Sequence, residues 1–360
     1  HHISQTYQFD SFNPGFVDVL TPQETEKGEK VWFDGTADAV RKNLSTILKS
    51  SADYFLILSG DQLYNINFQK MIAFAKEKQA DLTIACLPID TEQASRMGLL
   101  KIDTSHKVLD FIEKPKDTDA LSRFELPLEF FNNHPKPTEK GPYYLASMGI
   151  YVFERNTLVR LLRQDNRHDF GYHLLDTAVK EKKTAAFLYQ GYWEDIGTVR
   201  SYYDANLLLT HSKSGLNTYD ENNPIFTRPT YLPGPKIKST LIQDSIICEG
   251  SIIEAKEISH CVIGLRSHIK KGTILRDTVM LGNHFYMPPS QADAPLPKEF
   301  WIGENCLIEK AIIDEHVRIG NRVKLINKEK RKTYDGDGIF IRDGIIIVTS
   351  GAYLPDGFEL

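Results

Sequence analysis

The run Tyr54-Phe55-Leu56-Ile57-Leu58-Ser59-Gly60-Asp61 is the clearest structural signal in this chain. An apolar run closed by Ser-Gly-Asp is typical of a buried strand in a parallel sheet. Apolar residues then follow at helical spacing from Phe68 to Ala75, and a second apolar run spans Leu82 to Leu87. The stretch therefore predicts a strand-helix-strand unit.

Two aspartates follow apolar runs in this sequence. Asp61 ends the first run, and Asp195 lies in Tyr192-Trp193-Glu194-Asp195-Ile196-Gly197-Thr198. Carboxylates at the ends of parallel strands lie in the crevice where such sheets bind ligands, and two of them can hold Mg²⁺ against a triphosphate. The alternative is that each aspartate caps the next helix, but Asn65 and Asn67 are the better cap candidates after Asp61. The pattern favours a site for nucleotidyl transfer.

Strand and helix signals alternate up to about residue 210, which predicts a doubly wound α/β domain over residues 1–210. The segment from Pro115 to Pro142 is rich in proline and is predicted to be a loop. The other predicted elements are a hairpin over residues 98–112, strands at 148–153 and 185–189, and helices near 158–162, 174–178 and 202–209.

The pattern changes after this domain. Residues 211–238 contain four prolines and predict a linker. Residues 239–360 carry a six-residue apolar repeat, which is the signature of a β-helix; a β-sandwich is the alternative, but sandwiches do not keep this period. Residues 283–300 interrupt the repeat and predict an excursion loop. The repeat positions are Leu241, Ile247, Ile253, Ile263, Ile269, Leu275, Leu281, Leu307, Ile313, Ile319 and Leu325, and the predicted corner glycines are Gly264, Gly272, Gly282, Gly303 and Gly320.

Composition excludes several classes of function. The 360 residues carry a formal net charge of -5, which gives no electrostatic reason to expect nucleic acid or an anionic membrane as partner. The four cysteines form no C-x-x-C pair, so we expect reduced thiols and neither a zinc knuckle nor a disulfide scaffold. No run approaches the roughly 18 apolar residues of a membrane span, and no signal peptide is evident. We expect a cytoplasmic enzyme.

Three further motifs carry candidate binding residues. Gly35 and Thr36 precede a predicted helix, whose free N–H groups suit a phosphate or a base edge, although Thr36 as a simple N-cap is an equal alternative. Glu113 and Lys114 precede Pro115, and they offer a sugar hydroxyl acceptor and a cation for a sugar phosphate, or else an exposed ion pair. Ser147 opens a strand and has a hydroxyl to donate, unless it serves only the turn.

Together these motifs resemble the ADP-glucose pyrophosphorylase family, that is, glucose-1-phosphate adenylyltransferase. The resemblance covers essentially the whole chain, and the six-residue repeats share it. The matching segments are Ile3–Phe9, Gly35–Val40, Ser59-Gly60-Asp61, Glu113-Lys114-Pro115, Ala146–Gly149 and Tyr192–Thr198.

The resemblance implies a Rossmann-like nucleotidyltransferase domain followed by a left-handed parallel β-helix. It implies that ATP and glucose 1-phosphate react with Mg²⁺ to give ADP-glucose and pyrophosphate for glycogen or starch synthesis. It further implies a homotetramer or heterotetramer with small-molecule allosteric effectors, located in the cytoplasm or, in a plant, the plastid. On the matching positions the implied roles are metal binding by Asp61 and Asp195, sugar-phosphate binding by Lys114, glucose binding by Glu113, Ser147 and Gly98, and nucleotide binding by Gly35, Thr36 and Asp38.

The sequence departs from the family pattern at two places. The Gly-rich, Arg-containing phosphate loop and the Lys-Pro-Ala segment of the family have no counterpart here. We therefore expect the catalytic domain to lack its first strand-loop-helix portion and the chain as given to be inactive. Ser350 stands where many relatives carry an activator-binding lysine.

Two other functions fit the same motifs. One is a non-catalytic regulatory subunit that assembles with a catalytic partner through the β-helix. The other is a pyrophosphorylase of different specificity, for GDP-mannose or a UDP-sugar. The presence of Asp61, Lys114 and Asp195 favours the catalytic function over the regulatory one.

Overall fold

The computed structural model describes residues 2–7, 9, 15–22, 32–137, 141–181, 183–212, 214–286 and 299–360. Most of the predicted excursion loop, residues 287–298, lies outside the described residues. The same is true of Gln8 in the first family-like segment and of residues 138–140 in the predicted loop.

The amino-terminal part combines helices and strands in alternation. Its helices are α1 (His2–Thr6), α2 (Thr36–Lys42), α3 (Leu44–Ile47), α4 (Phe68–Glu77), α5 (Thr91–Ala94), α6 (Thr118–Ser122), α7 (Arg155–Gln164), α8 (Asp176–Glu181) and α9 (Val199–Leu208). Its strands are β1 (Tyr54–Ile57), β2 (Gln62–Tyr64), β3 (Leu82–Asp90), β4 (Gly98–Ile102), β5 (Val108–Glu113), β6 (Tyr143–Glu154), β7 (Thr184–Leu188) and β8 (Trp193–Asp195). A 3₁₀ turn spans Leu128–Asn132 and a π-helical turn spans Phe170–Leu175.

The main sheet is mixed, in the order β5-β4-β6-β3-β7, with β1 also paired to β6. β1 and β3 pair antiparallel with the same residues of β6 from its two edges, whereas β3 and β7 are parallel. The prediction of a buried parallel strand over residues 54–58 was therefore wrong, because β1 is half-buried and antiparallel to its neighbour. Periodicity gives no information on which strand a run will pair with.

Helices cover both faces of this sheet, which confirms the doubly wound α/β fold. Ile84 belongs to a core cluster with Leu158 of α7 and Leu174 of the π-helical turn. The adjacent Ala85 belongs to a different cluster, with Met71 of α4. Successive residues of a strand point to opposite faces, so these two clusters are the two helix-sheet interfaces.

Other local predictions had mixed outcomes. Asn67 caps α4, and its side chain accepts a hydrogen bond of 3.0 Å from the backbone N–H of Lys70. The predicted hairpin is formed by β4 and β5, which pair antiparallel. The prediction of a loop over residues 115–142 was wrong in part, since α6 and the 3₁₀ turn lie within it. Acidic caps such as Asp117 on α6 start short helices that an apolar pattern does not reveal.

The carboxy-terminal part is built of short strands. They are β9 (Lys236–Ile237), β10 (Leu241–Gln243), β11 (Ile246–Ile247), β12 (Ile252–Ile253), β13 (Glu257–Leu265), β14 (His268–Ile269), β15 (Ile274–Gly282), β16 (Leu307–Ile313), β17 (Arg318–Ile319), β18 (Lys324–Leu325), β19 (Thr333–Asp335), β20 (Ile339–Arg342), β21 (Ile345–Val348) and β22 (Tyr353–Leu354). β13, β15, β16 and β21 stack in parallel, as the coils of a β-helix require. Between Leu208 and Lys236 the described residues form neither helix nor strand.

The six-residue repeat supplies the core of these coils. Most repeat positions from Ile253 to Leu325 are completely buried. Four repeat positions differ: Leu241 in an early coil is 56% exposed, and Ile247, Leu281 and Leu307 are only half-buried, Leu307 beside the buried Ile308. Ile308 pairs with Leu275 across the excursion loop. Ile308 lies five residues before the buried Ile313, so a strict period of six selected its half-buried neighbour Leu307.

The predicted corner glycines serve two different purposes. Gly282 has φ 90°, a left-handed conformation that favours glycine. Gly303 has no such φ, but a Cβ there would lie 2.3 Å from the carbonyl oxygen of Gly320 in the adjacent coil. Gly303 is therefore needed for close approach of two coils rather than for a turn.

Helix α9 joins the two parts. Tyr203 and Leu207 of α9 pack with Val279, Ile312 and Ile345 of the β-helix. The Tyr203 hydroxyl also donates a hydrogen bond to the backbone carbonyl of Asp277. Among the described residues, no helix is both long and apolar enough to cross a membrane.

We predict that Gly303→Ala destabilises the β-helix, because its methyl group would force two coils apart at a cost of about 1–3 kcal/mol. Gly234→Ala is the matched control, since a Cβ at Gly234 meets nothing within 4 Å. Thermal unfolding followed by circular dichroism measures both. Equal midpoints for the two variants would contradict the close-approach explanation.

Candidate active site

One cavity of about 270 Å³ in the amino-terminal part collects most of the predicted site residues. The residues that line it come from the ends of β1, β2, β4, β5, β6 and β8 and from the π-helical turn. Seven of the predicted residues line it, namely Thr36, Asp61, Gly98, Glu113, Lys114, Ser147 and Asp195. Gly35 and Asp38 do not line it. The functions of all nine stay predictions.

A short ribbon brings Asp61 next to Asp195. β2 and β8 pair antiparallel outside the main sheet, with Gln62 directly opposite Asp195. The backbone N–H of Ile196 donates to the carbonyl of Asp61 at 3.1 Å and extends the pairing by one step. Each strand has only three residues, too few for a period-two pattern to be recognised in the sequence.

The two carboxylates point to the same region. A Cβ built on Gly197 would lie 3.0 Å from Oδ1 of Asp195 and 3.8 Å from Oδ2 of Asp61. Oδ1 of Asp195 accepts the backbone N–H of Gly197 at 2.9 Å, and Oδ1 of Asp61 accepts the Ser59 hydroxyl. In the described part of the chain, neither carboxylate forms a salt bridge with lysine or arginine.

This arrangement fits a magnesium ion. Mg²⁺ is usually bound by one or two carboxylates together with water and substrate phosphates, and it needs oxygen ligands that are not already neutralised. Both aspartates are exposed to solvent, and each keeps an Oδ2 atom without a hydrogen-bond partner among the described residues. The absence of a side chain at Gly197 keeps the space between them open.

Glu113 lines the same cavity and lies in a tight cradle. A Cβ at Gly98 would lie 2.6 Å from Oε2 of Glu113, and one at Gly171 would lie 2.8 Å from the same atom. The Glu113 side chain is 15% exposed, and burial and the charge of Asp169 raise its pKa although Lys114 opposes them. Both glycines therefore leave room for a carboxylate that the protein holds at an energetic cost.

Lys114 projects from the turn after β5. Its Nζ lies 3.8 Å from Oε1 of Glu113, and its side chain is 47% exposed. Its backbone N–H donates to the carbonyl of Met97 at 3.1 Å, and its φ of 46° is unusual for a residue with a side chain. The chain therefore turns at Lys114 itself, and strain of this kind is often found at functional sites.

Ser147 lies on β6 at an irregular point of the strand. Its hydroxyl accepts the backbone N–H of Gly149 at 3.3 Å and interacts with the buried Tyr151, whose pKa burial raises. Gly149 has φ 71°, and the pairing of β6 with β3 shifts between Ile84 and Cys86. A bulge of this type redirects a side chain near a binding site.

The amino terminus of α2 differs from the sequence prediction. The backbone N–H groups of Ala37 and Asp38 donate to the carbonyl of His168, so they are not free for a phosphate. Gly35 rather than Thr36 is the N-cap residue. Thr36 still faces the cavity, and its hydroxyl donates to Asp169 at 3.4 Å.

Asp38 has a structural environment. Its carboxylate is buried, accepts the backbone N–H of Asp34 at 3.0 Å and lies 2.7 Å from Nζ of Lys42. Burial acts to raise its pKa, but the hydrogen bonds from Lys42 and Asp34 lower it on balance. This carboxylate is satisfied within α2 and its flank.

Sequence reasoning missed several residues that line the cavity. They are Gln62, Arg96, Gly149, Tyr151, Asp169, Phe170, Gly171 and Trp193. Trp193 lies inside a motif already singled out for Asp195, and Asp169-Phe170-Gly171 follows His168 directly. The available signal at Asp169 was a carboxylate two residues before a glycine, at the start of a helical segment.

Comparison with protein families agrees with this geometry. Residues 1–212 match the family described as nucleotidyl transferase, and residues 230–358 match the GLGC left-handed parallel beta-helix domain. The fold and site thus define a nucleotidyltransferase. The chain belongs to the ADP-glucose pyrophosphorylase family, whose hallmark is the combination of these two modules.

We predict that Glu113→Gln raises the free energy of unfolding at pH 7, because it removes the cost of burying a carboxylate whose pKa is raised in the folded state. A carboxyl group whose pKa is raised by folding lowers stability as the pH rises from the ordinary pKa of glutamate through the raised value. The difference in unfolding free energy between Glu113→Gln and the parent protein should therefore shrink when urea unfolding is repeated at a pH below the ordinary pKa of glutamate.

Asp165→Asn is the control of opposite sign. A hydrogen bond from Arg167 lowers the pKa of Asp165 to about 2, so its loss should destabilise the protein at pH 7. That difference should diminish only as pH falls toward 2. A Glu113→Gln variant less stable than the parent protein at pH 7 would contradict the prediction for Glu113.

Proposed function

We propose that the protein is a glucose-1-phosphate adenylyltransferase that converts ATP and glucose 1-phosphate to ADP-glucose and pyrophosphate. The observation that carries the proposal is the meeting of Asp61 and Asp195 on one ribbon, in a cavity that also contains Lys114. Two carboxylates and a cation in one cavity match a metal-bound triphosphate and a sugar phosphate. Membership of the nucleotidyltransferase family supports the class of reaction.

In this proposal the chain mainly positions and neutralises its substrates. A phosphate oxygen of glucose 1-phosphate attacks the α-phosphorus of ATP, and pyrophosphate leaves with the electron pair of the broken bond. Asp61 and Asp195 would hold Mg²⁺, which neutralises charge on the triphosphate when bound. Lys114 offsets the charge of the sugar phosphate and orients it for in-line attack.

The sugar ring lies on the other side of the cavity in this proposal. Glu113 accepts hydrogen bonds from sugar hydroxyls, and Ser147 donates one. The cradle of Gly98 and Gly171 fixes the Glu113 carboxylate, which limits the positions that the ring can take. We assign Thr36 to the nucleotide side, and we extend that assignment to Gly35 and Asp38 as supports of the α2 segment.

The wider properties implied by the resemblance are part of the same proposal. They are a role in glycogen or starch synthesis, a tetrameric assembly, and regulation by small-molecule effectors. We also propose the division into a catalytic domain (1–210), a linker (211–238) and a β-helix domain (239–360). A cytoplasmic or plastid location would suit these roles.

We predict that the protein binds glucose 1-phosphate and that Lys114→Met weakens this binding by about 10–100-fold, the value of a charge-assisted hydrogen bond. Isothermal titration calorimetry with glucose 1-phosphate measures it. Lys101→Met on β4 is the control, because it removes the same charge from an exposed lysine that does not line the cavity. Equal affinities of the two variants would exclude the assigned role of Lys114.

We also predict that Asp61→Asn and Asp195→Asn each weaken Mn²⁺-dependent binding of ADP-glucose, because each variant removes one of the two charged oxygen ligands. Mn²⁺ electron paramagnetic resonance reports the metal directly. Retention of full metal affinity in both variants would contradict the metal site.

Turnover is measured on the product of the complete open reading frame as pyrophosphate release with ATP, GTP, UTP, CTP or dTTP. Release with ATP alone is expected. Release only with another nucleotide would replace the adenylyl specificity. Ligand binding without release from any nucleotide would favour a regulatory subunit.

A further inference from the structure

Gln62 and Trp193 face each other on the ribbon that carries the two aspartates. The register pairs Gln62 with Asp195 and Tyr64 with Trp193, so all four side chains lie on one face of the ribbon. Gln62, Trp193 and Asp195 line the cavity. Gln62 and Trp193 are diagonal neighbours, a distance that long side chains can bridge.

A hydrogen bond between these two side chains determines the orientation of the glutamine amide. Nε1 of Trp193 lies 3.3 Å from Oε1 of Gln62. An indole N–H is only a donor, so the amide atom that faces it must be the carbonyl oxygen. The NH₂ group of Gln62 is therefore held on the side away from the indole.

The backbone of β6 makes room for this NH₂ group. A Cβ on Gly149 would lie 2.9 Å from Nε2 of Gln62, closer than two such atoms normally approach. The φ of 71° at Gly149 also favours glycine at this position. The N–H of Gly149 is already used, since it donates to the Ser147 hydroxyl at 3.3 Å.

The NH₂ group has no hydrogen-bond partner within the described ranges of the chain. It is a neutral donor with a fixed direction beside the cavity, and it is available to an oxygen acceptor of a ligand. The phosphates are better matched by Lys114 and by a metal ion that Asp61 and Asp195 would hold. Nε2 instead lies against Gly149, two residues from Ser147, which is the sugar side of the cavity.

We propose that Gln62 is a specificity-determining residue, whose NH₂ group donates a hydrogen bond to a hydroxyl oxygen of the sugar, and that Trp193 is the positioning residue that orients it. The inference rests on the proposed function, because it takes a sugar 1-phosphate as the ligand of this cavity. It adds a polar contact to the sugar from β2, the strand that directly follows Asp61. The same short segment of chain would then contact both the metal-bound nucleotide and the sugar.

The test uses calorimetric titration of glucose 1-phosphate and of its 2-, 3-, 4- and 6-deoxy analogues. The parent protein is expected to bind the one analogue that lacks the hydroxyl partner of Gln62 about three- to tenfold more weakly than glucose 1-phosphate, as loss of a neutral hydrogen bond predicts. Gln62→Met should weaken binding of glucose 1-phosphate by the same factor. It should leave the affinity for that one analogue unchanged, because neither partner of the bond is then present.

Two further variants separate orientation from contact. Gln62→Glu keeps an oxygen that faces the Trp193 indole but replaces the NH₂ group, so it should lose the same discrimination between glucose 1-phosphate and the analogue. Trp193→Phe removes the indole donor and frees the amide to rotate, so discrimination should fall while Gln62 is still present. Gln243→Met, on the exposed face of β10, is the control and should leave all affinities unchanged.

The outcomes distinguish this inference from the proposed function. No binding of glucose 1-phosphate by the parent protein would refute the proposed function. Binding by the parent with an unchanged affinity in Gln62→Met would overturn the inference alone. Equal weakening for glucose 1-phosphate and every analogue would also overturn it, and equal thermal midpoints of parent and variant exclude a folding defect.

Discussion

The antiparallel pairing of β2 with β8 is the constraint on which the site depends. Each strand has only three residues, and the pair lies outside the main sheet, yet its register places Gln62 opposite Asp195 and brings Asp61 alongside. The two carboxylates come from positions far apart in the sequence, and the main-chain hydrogen bonds between these strands, together with the bond from Trp193 to Gln62, hold them close to each other. A shift of the register by one residue would turn Asp195 away from Gln62.

Charge is distributed unevenly around the cavity. The ribbon presents exposed carboxylates without a cationic partner among the described residues, whereas Glu113 is nearly enclosed beside Lys114. Burial raises the pKa of Glu113, so folding alone does not favour a charged group there. A ligand that donates hydrogen bonds to this carboxylate would offset the cost, which is the usual relation between strain at a site and binding. Glycines at positions 98 and 171 allow the arrangement because any side chain would collide with the carboxylate.

The sequence revealed those features that depend on local chemistry. The six-residue repeat identified the β-helix because each coil must bury an aliphatic residue, and Asn67 was recognisable as a cap from its position before an apolar helix face. Features that depend on which strands pair with each other could not be predicted from the sequence. The pattern from Tyr54 to Leu58 carries no information about β6, which enters between β1 and β3 from a distant position in the chain. The carbonyl of His168 that occupies the start of α2 was equally invisible, since any residue has a carbonyl. The contact between Gln62 and Gly149 could not be predicted either, because it joins residues that are far apart in the sequence.

Helix α9 has a mechanical consequence. It begins at Val199, only four residues after Asp195, and Thr198 and Ser201 fix its first turn through reciprocal hydrogen bonds. Its Tyr203 and Leu207 are embedded in the side of the β-helix. Helix α9 thus connects the side of the β-helix to β8, the strand that bears Asp195. Any tilt of the coils relative to the sheet would therefore reach Asp195 through α9, over less than three helical turns.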